Sequence, residues 1–415
     1  MKRNRYRIIT TAAFLMAAVV VFGQNKSAGI NLSLWNKVST QPVNSRQQTY
    51  LNIGLMSQEN KIHGVSVNLL GNKVVNNVKG LQVAGLTTIT GESSYGLNIA
   101  GLLTLNGEYA NGVTMAGLSN IVGESQHGLM VGGLLNIIGI DSKGIAIPGL
   151  ANINGYNSQG IALAGLTNIL GEDMKGVAIA GLLNIAESVR GVSISTLLNL
   201  SNNTKGLSFA TLNINSENFY GLQSGLLNIN TEQFYGLQAG LLNIGIEHHG
   251  IQLGLINYYQ EQLKGMQIGL ININSNTKYS LLAYASNQTK ANIAIRFKNK
   301  LFYNIIGIGA PFLHFNDKFS GSINYRTGIH YPIGKSFDIS GDIGYQHINT
   351  FKNKDKSKGI ARRMYSLQAR LNAEYIINPQ WSILASGGYE TTRWYSQSHT
   401  YRKGLLAEGG IAYTL

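Results

Sequence analysis

Eight ionisable side chains in the last hundred residues, Arg326, His330, Asp338, Asp342, Arg370, Glu374, Glu390 and Glu408, alternate with apolar ones, so all fall on the polar face of their strands. Carboxylates held beside guanidinium groups can relay protons or act as an acid–base pair. In a narrow lumen they more simply neutralise one another, and a mutually paired plug is the expectation here. The adjacent pair His248-His249 offers a metal two ligands at most, with no nearby third. The sequence holds no HExxH, GxSxG or phosphate-cradling loop, and Gly307 and Gly309 lie within strand sequence rather than before a helix. With no cysteine there is no thiol nucleophile and no disulfide. The chain is expected not to be an enzyme and to carry no cofactor and no metal.

The elements that position those eight residues read as strands. Tyr365, Leu367, Ala369, Leu371, Ala373 and Tyr375 alternate with Ser366, Gln368, Arg370, Asn372 and Glu374, the period of a strand with one apolar face. Similar alternation runs over 319–331, 336–348, 381–395 and 404–415, with less regular strands at 279–286, 291–299 and 301–310. Short turns at 298–300, 332–335 and 378–380 alternate with longer polar connections at 311–318, 349–361 and 396–403. Even strand number, alternating connections and aromatic residues near strand ends are the signature of an outer-membrane barrel. The basic loop KNKDKSKGIARR (352–363) is placed to meet anionic headgroups if it faces outward.

The middle of the chain is repetitive. Glycine opens a unit at 64, 80, 96, 112, 128, 144, 160, 176, 191, 206, 221, 236, 250 and 265, so 14 units of 14–16 residues run to about Asn276. Counted from that glycine, apolar residues occupy positions 2, 4, 7 and 10; the strand period breaks at position 6, which is usually a second glycine. Each unit therefore reads as two short strands around a corner. Pro148 at position 5 supports the corner, since a central strand needs that amide hydrogen. Asn120, Asn136, Asn152, Asn168, Asn184, Asn199, Asn213, Asn228, Asn243, Asn257 and Asn272 recur once per unit, with Thr88 and Thr104 in two earlier units. Stacked coils would bring them into one amide ladder. On this reading the leucines fill a narrow core, and the scarcity of charge reflects stacking rather than burial in lipid. The stretch GINLSLWNK (29–37), with 50–56, is expected to be a degenerate first coil or cap. The turn before each opening glycine makes a mixed basic and aromatic edge, where Tyr220, Tyr235, Tyr258 and Tyr259 are the expected contact strip for a glycan or protein ligand.

Composition agrees with export. Lys2, Arg3, Arg5 and Arg7 precede an apolar run from Ile8 to Phe22 and a small Gly23, the pattern of a secretory signal peptide. The net charge of +14 includes those four residues and otherwise concentrates after residue 280. Nucleic acid is therefore not an expected partner.

The string GIQLGLINYYQEQLKGMQIGLININ (250–274) resembles the surface-repeat proteins first described in leptospires and found in many Bacteroidota. The similarity covers 64–276; earlier units carry Ala-Gly-Leu-x-Asn instead. The resemblance implies an exported, envelope-associated protein, and it transfers no activity to any residue.

The expected fold is all-β: a parallel β-solenoid of about 14 coils followed by an antiparallel eight-stranded β-barrel. The expected segments are a signal peptide (1–23), a cap (24–63), the solenoid (64–276) and the barrel (277–415). The expected function is that of a non-enzymatic outer-membrane or cell-surface protein, an adhesin or envelope scaffold whose partner is outer-membrane lipid, with the solenoid on the surface or in the periplasm. The alternative is a pore or uptake component formed by one large barrel with each unit as a single strand. Against it stand the one-unit period and the loss of one residue from Gly206 onward, which would turn a continuous strand over.

Overall fold

The computed structural model describes residues 29–36, 38–41, 43–44, 46–315, 317–353, 360–395 and 400–415. The signal-peptide segment and the centre of the basic loop, 354–359, lie outside the described residues. The described elements are all strands and turns, and they fall into two compact units, Met1–Gly236 and Leu237–Leu415.

The first unit is a parallel stack. Ser94–Ala100 pairs with Tyr109–Ala116, and that strand with Ser125–Gly132, each residue lying over the one sixteen positions on, as in Gly96↔Gly112 and Gly112↔Gly128. The return strands stack separately, with Asn120↔Asn136 and Asn136↔Asn152 in register. A corner at Gly181-Leu182 separates Thr167–Ala180 from Leu183–Ser195, and the same break recurs in other coils. This architecture excludes one large antiparallel barrel. Residues Ile30–Trp35 lie parallel on 51–54 and pair antiparallel with Val38–Ser39, so a short hairpin covers the first coil.

Glycine is needed where coils approach. At Gly176 φ is +130°, and an added Cβ would sit 2.0 Å from the Gly160 carbonyl oxygen. At the Gly181 corner φ is ordinary, but a Cβ would again meet a carbonyl oxygen, that of Gly165, at 2.0 Å. One position requires backbone freedom and the other requires space.

The packing overturns one expectation. Position 7 leucines do not fill the core: Leu134 and Leu150 at successive corners are 41% and 40% exposed. The residues at positions 2 and 4, such as Ile145 and Ile179, also point outward. Inside lie small, amide and hydroxyl side chains, among them Ala146, Ala178, Asn98 and Gln82. Apolar packing in the interior is limited to local clusters such as Ala110, Val122, Met130 and Ile138. A period of two shows that two faces differ but not which one turns inward. Small residues and flat amides occupy the interior near the corner, while branched and larger side chains such as Val122, Ile138, Leu170 and Val189 are buried toward the edge turn.

The second unit begins with the last coils, where Ile251↔Met266 and Asn257↔Asn272 continue the parallel register. Its main body is eight antiparallel strands: Lys278–Ser286, Ala291–Lys298, Phe302–Ala310, Lys318–Ile333, Phe337–Asn353, Arg363–Ile376, Trp381–Trp394 and Thr400–Thr414. The first pairs with the last, Leu282 opposite Ala412, and closes the barrel. Ile293, Ile308, Ile323, Ile343, Leu371 and Leu405 are exposed around its outer wall. Aromatic pairs flank that belt: Phe337–Tyr375 and Trp381–Tyr413 at the short-turn end, Phe315–Phe319 and Tyr365–Tyr395 at the other. The compact units divide at Gly236 rather than where the repeat phrase stops. The last coils cluster with the barrel because they bond to it: Asn272 Nδ2 donates to Asn304 Oδ1 at 2.8 Å, and Asn274 Nδ2 to Asn299 Oδ1 at 2.7 Å.

Candidate functional site

Two polar constellations stand out, the barrel lumen and the interior and edge of the coils. Strand alternation turns Arg326, Asp342 and Arg370 inward, on three neighbouring strands. Asp342 accepts from Arg326 Nη2 at 2.8 Å, from Arg370 Nη1 at 3.3 Å and from the Tyr303 hydroxyl at 2.8 Å. Arg326 Nη1 also meets Glu408 Oε1 at 2.7 Å. A second group lies toward the short turns. Arg296 grips Glu374 through both terminal nitrogens at 2.9 and 2.8 Å, and Lys298 bridges Glu374 at 3.1 Å and Asp338 at 2.9 Å. His330 Nδ1 lies 2.9 Å from Asp338, and its Nε2 lies 2.6 Å from the Asn299 carbonyl oxygen. Glu390 accepts from Gln368 at 2.8 Å and Thr392 at 2.9 Å and meets Arg402 at 3.4 Å.

All eight lumen residues singled out in the sequence are inside and paired. Sequence reasoning missed Arg296, Lys298 and Arg402. The first two were signalled by the alternation of Asn292, Ala294, Arg296 and Lys298 with Ile293, Ile295 and Phe297. With them, five cations face five carboxylates among the described residues. Such an arrangement costs several kcal/mol per ion in desolvation, roughly offset by pairing, and leaves no carboxylate pair set apart for acid–base work.

A file of neutral amides bonds along the coil interior. Asn120 Nδ2 donates to Asn136 Oδ1 at 2.9 Å, Asn136 to Asn152 at 3.2 Å, Asn152 to Asn168 at 2.9 Å and Asn168 to Asn184 at 2.9 Å. The chain continues through Asn199 and Asn213 to Asn228, and Thr104 donates into its first member, Asn120. The amides also bond backbone, as Asn168 does to the Ile179 carbonyl at 2.9 Å, tying the return strand of one coil to the opening strand of the next. In the second unit Asn243 donates to Asn257 and Asn257 to Asn272, beside a parallel file of Gln238, Gln252 and Gln267.

At the edge, Tyr220 and Tyr235 stack at 4.7 Å with planes 4° apart, and Lys205 Nζ lies 5.4 Å from the Tyr220 ring. Behind them Phe219 and Phe234 stack at 5.0 Å. Tyr258 is half exposed, but Tyr259 is only 4% exposed and cannot belong to a contact strip. It follows the ladder residue Asn257 by two positions and so shares its inward face; burial pushes its hydroxyl up to about 12.

In the cap, Glu59 is buried and accepts from Asn31 Nδ2 at 3.2 Å, while its Oε2 has no partner. Burial raises its carboxyl to about 7, against the lowering effect of hydrogen bonds from Ser57 and Asn31. No three His, Asp or Glu side chains converge as a metal site among the described residues.

No family model matches this sequence, and no curated protein matches it. Among solved structures it is similar to the N-terminal β-barrel domain of Pseudomonas aeruginosa OprF, at 11% identity over 34% of this chain and 96% of that one, with a TM-score of 0.27. It is also similar to Ail, the attachment invasion locus protein of Yersinia pestis (16% identity, 34% and 95% coverage, TM-score 0.21), and to Neisserial surface protein A (7% identity, 33% and 92% coverage, TM-score 0.22).

Proposed function

We propose that the chain is a non-enzymatic outer-membrane protein in which the barrel is the membrane anchor and the coils serve as an envelope scaffold, with an adhesive role as its finer form. The observation that carries the reading is the polarity of the closed barrel: an apolar outer belt between two sets of aromatic rings, and a lumen filled by paired charges. That is the arrangement a bilayer demands of strands, since lipid tolerates neither an open edge nor an unsatisfied polar group. The paired lumen favours an anchor over a pore. The interior of an eight-stranded barrel is narrow enough for side chains to fill, and here paired charges cross it.

Expression of the full chain in a Gram-negative host tests the anchor. The expected result is recovery in the outer-membrane fraction, with electrophoretic mobility that changes on boiling; recovery as a soluble periplasmic protein would overturn it. Protease treatment of intact cells tests the adhesive form. If the coils survive while the 349–361 connection is cut, the adhesive role fails and the scaffold stands. Planar-bilayer recordings are expected to show no discrete conductance steps.

A further inference from the structure

We infer that the two outer faces of the repeat coils are lipid-facing, so that the coils of each unit lie as an amphipathic wedge in one membrane leaflet, with only the charged edge in water. The inference rests on the outer-membrane reading of the barrel.

Charge is segregated along the coils from Gly80 on, whereas the coil before them carries Lys73 on its return strand. From Gly80 to Asn274 no Asp, Glu, Lys, Arg or His occurs from the opening glycine through the tenth position of each unit. All such residues sit in the edge turn, as Glu108, Glu124, Lys143, Glu172, Lys175 and Arg190 do. The opposite corner is a file of exposed leucines: Leu86, Leu102, Leu118, Leu134, Leu150 and Leu166 in the first unit. An apolar surface extending over both faces of successive coils is far larger than the patches soluble monomers leave in water.

The backbone on that corner is already satisfied. Leu118 N–H donates to the Leu102 carbonyl at 2.9 Å, Leu134 to Leu118 at 2.7 Å, and Leu150 to Leu134 at 2.8 Å. Gly133 N–H likewise donates to the Ala116 carbonyl at 3.0 Å. A turn in water can leave its amides to solvent; a turn in hydrocarbon cannot. The dimensions fit as well. Five extended residues from opening glycine to corner, at about 3.3 Å each, set the corner roughly 16 Å from the edge. That is about one leaflet of a hydrocarbon core ~30 Å thick. Tyr95, Tyr109, Tyr156 and Tyr220 lie exposed at the edge, the level at which amphipathic rings meet headgroups.

The second unit supplies continuity with the barrel's outer wall. Tyr303 points inward to Asp342, so its neighbour Asn304, and with it Thr327 and Tyr325 on the adjoining strand, point outward. There Asn304 Nδ2 and the Tyr325 hydroxyl both donate to the Gly269 carbonyl at 3.2 Å. The last coil thus lies on the wall that carries the apolar belt, beside the short turn at 299–301, and Leu255 and Leu270 of the last two coils are exposed. The last coils therefore occupy the leaflet on the short-turn side.

The chain contains no cysteine, so single nitroxide labels can be attached without background. The full protein, reconstituted in phosphatidylcholine–phosphatidylglycerol vesicles, would carry labels at Leu150→Cys and Leu255→Cys on corners, at Glu172→Cys and Glu261→Cys on the edge, and at Leu371→Cys on the barrel belt. The expected result is several-fold greater collision with oxygen than with a water-soluble nickel chelate at both corners and at Leu371→Cys, with the reverse on the edge. Nickel access at the corners while Leu371→Cys stays in lipid would overturn the wedge and leave the anchor intact. Nickel access at Leu371→Cys as well would overturn both. Corners shielded from both reagents would place a second copy or another protein on these faces and overturn the lipid assignment.

Discussion

The coils and the barrel both turn apolar side chains outward and polar ones inward, yet they satisfy their interiors by opposite means. The barrel encloses full charges and neutralises them across strands, as Asp342 does for Arg326 and Arg370. The coils enclose neutral amides that bond along the stack, as Asn152, Asn168 and Asn184 do. The contrast follows from geometry. A closed barrel brings unlike side chains together across its lumen, so opposite charges can be matched. A parallel in-register stack sets like upon like, and a file of identical charges would repel; an amide, both donor and acceptor, is the polar group that can follow itself.

Five substitutions or titrations can break or sharpen that contrast. The largest effect is expected from Gly176→Val, whose side chain would collide with the Gly160 carbonyl at positive φ; a loss above about 4 kcal/mol should abolish the coils' cooperative thermal transition in circular dichroism. The barrel's boiling-dependent mobility should persist, and its loss would show that the two regions do not fold separately. Next, Asp342→Ala strands Arg326 and Arg370 side by side and is expected to cost about 3–5 kcal/mol, read as a lower urea midpoint for the mobility change.

Glu59 places a pH effect in the coils' cap. Its carboxyl is raised from 4.5 to about 7, so the folded state binds more protons than the unfolded one between those values. Stability is then greatest below 4.5, falls as pH rises toward 7 by about 3 kcal/mol in all, and levels off above. Glu59→Gln should flatten that slope in denaturant titrations at pH 4.5 and 8. Smaller still is Asn168→Ala, which leaves ladder and backbone groups unpartnered at a cost of about 1–3 kcal/mol. Its thermal shift should be the same at low and high salt, as a neutral ladder requires. Tyr235→Ala, which removes one ring of the edge stack, is expected to cost about 1 kcal/mol in the same melt.

Much of this arrangement was legible in the sequence. The barrel strands could be bounded because alternation and turn length change together, and the inward charges followed from parity alone. The asparagine file was visible because a stack repeats whatever it selects. What parity could not supply was a sign. Leu134 and Leu150 look like core residues to a reader who assumes water outside, and only the facing of Asn136 and Ala146 into the narrow gap shows the reverse. Tyr259 was misplaced for a different reason: it was grouped with its neighbour Tyr258 as edge sequence, although its spacing from Asn257 already assigned it inward.

The constant register has a further consequence for how such a chain can change. Asn152, Asn168 and Asn184 lie one above the next, sixteen positions apart, so excising 160–175 as a block would seat Asn152 on Asn184 with every inward and outward position preserved. Length is thereby decoupled from sequence design. Unequal recombination can add or drop a whole period without rewriting any face, whereas losing one barrel strand leaves two edges that no longer meet.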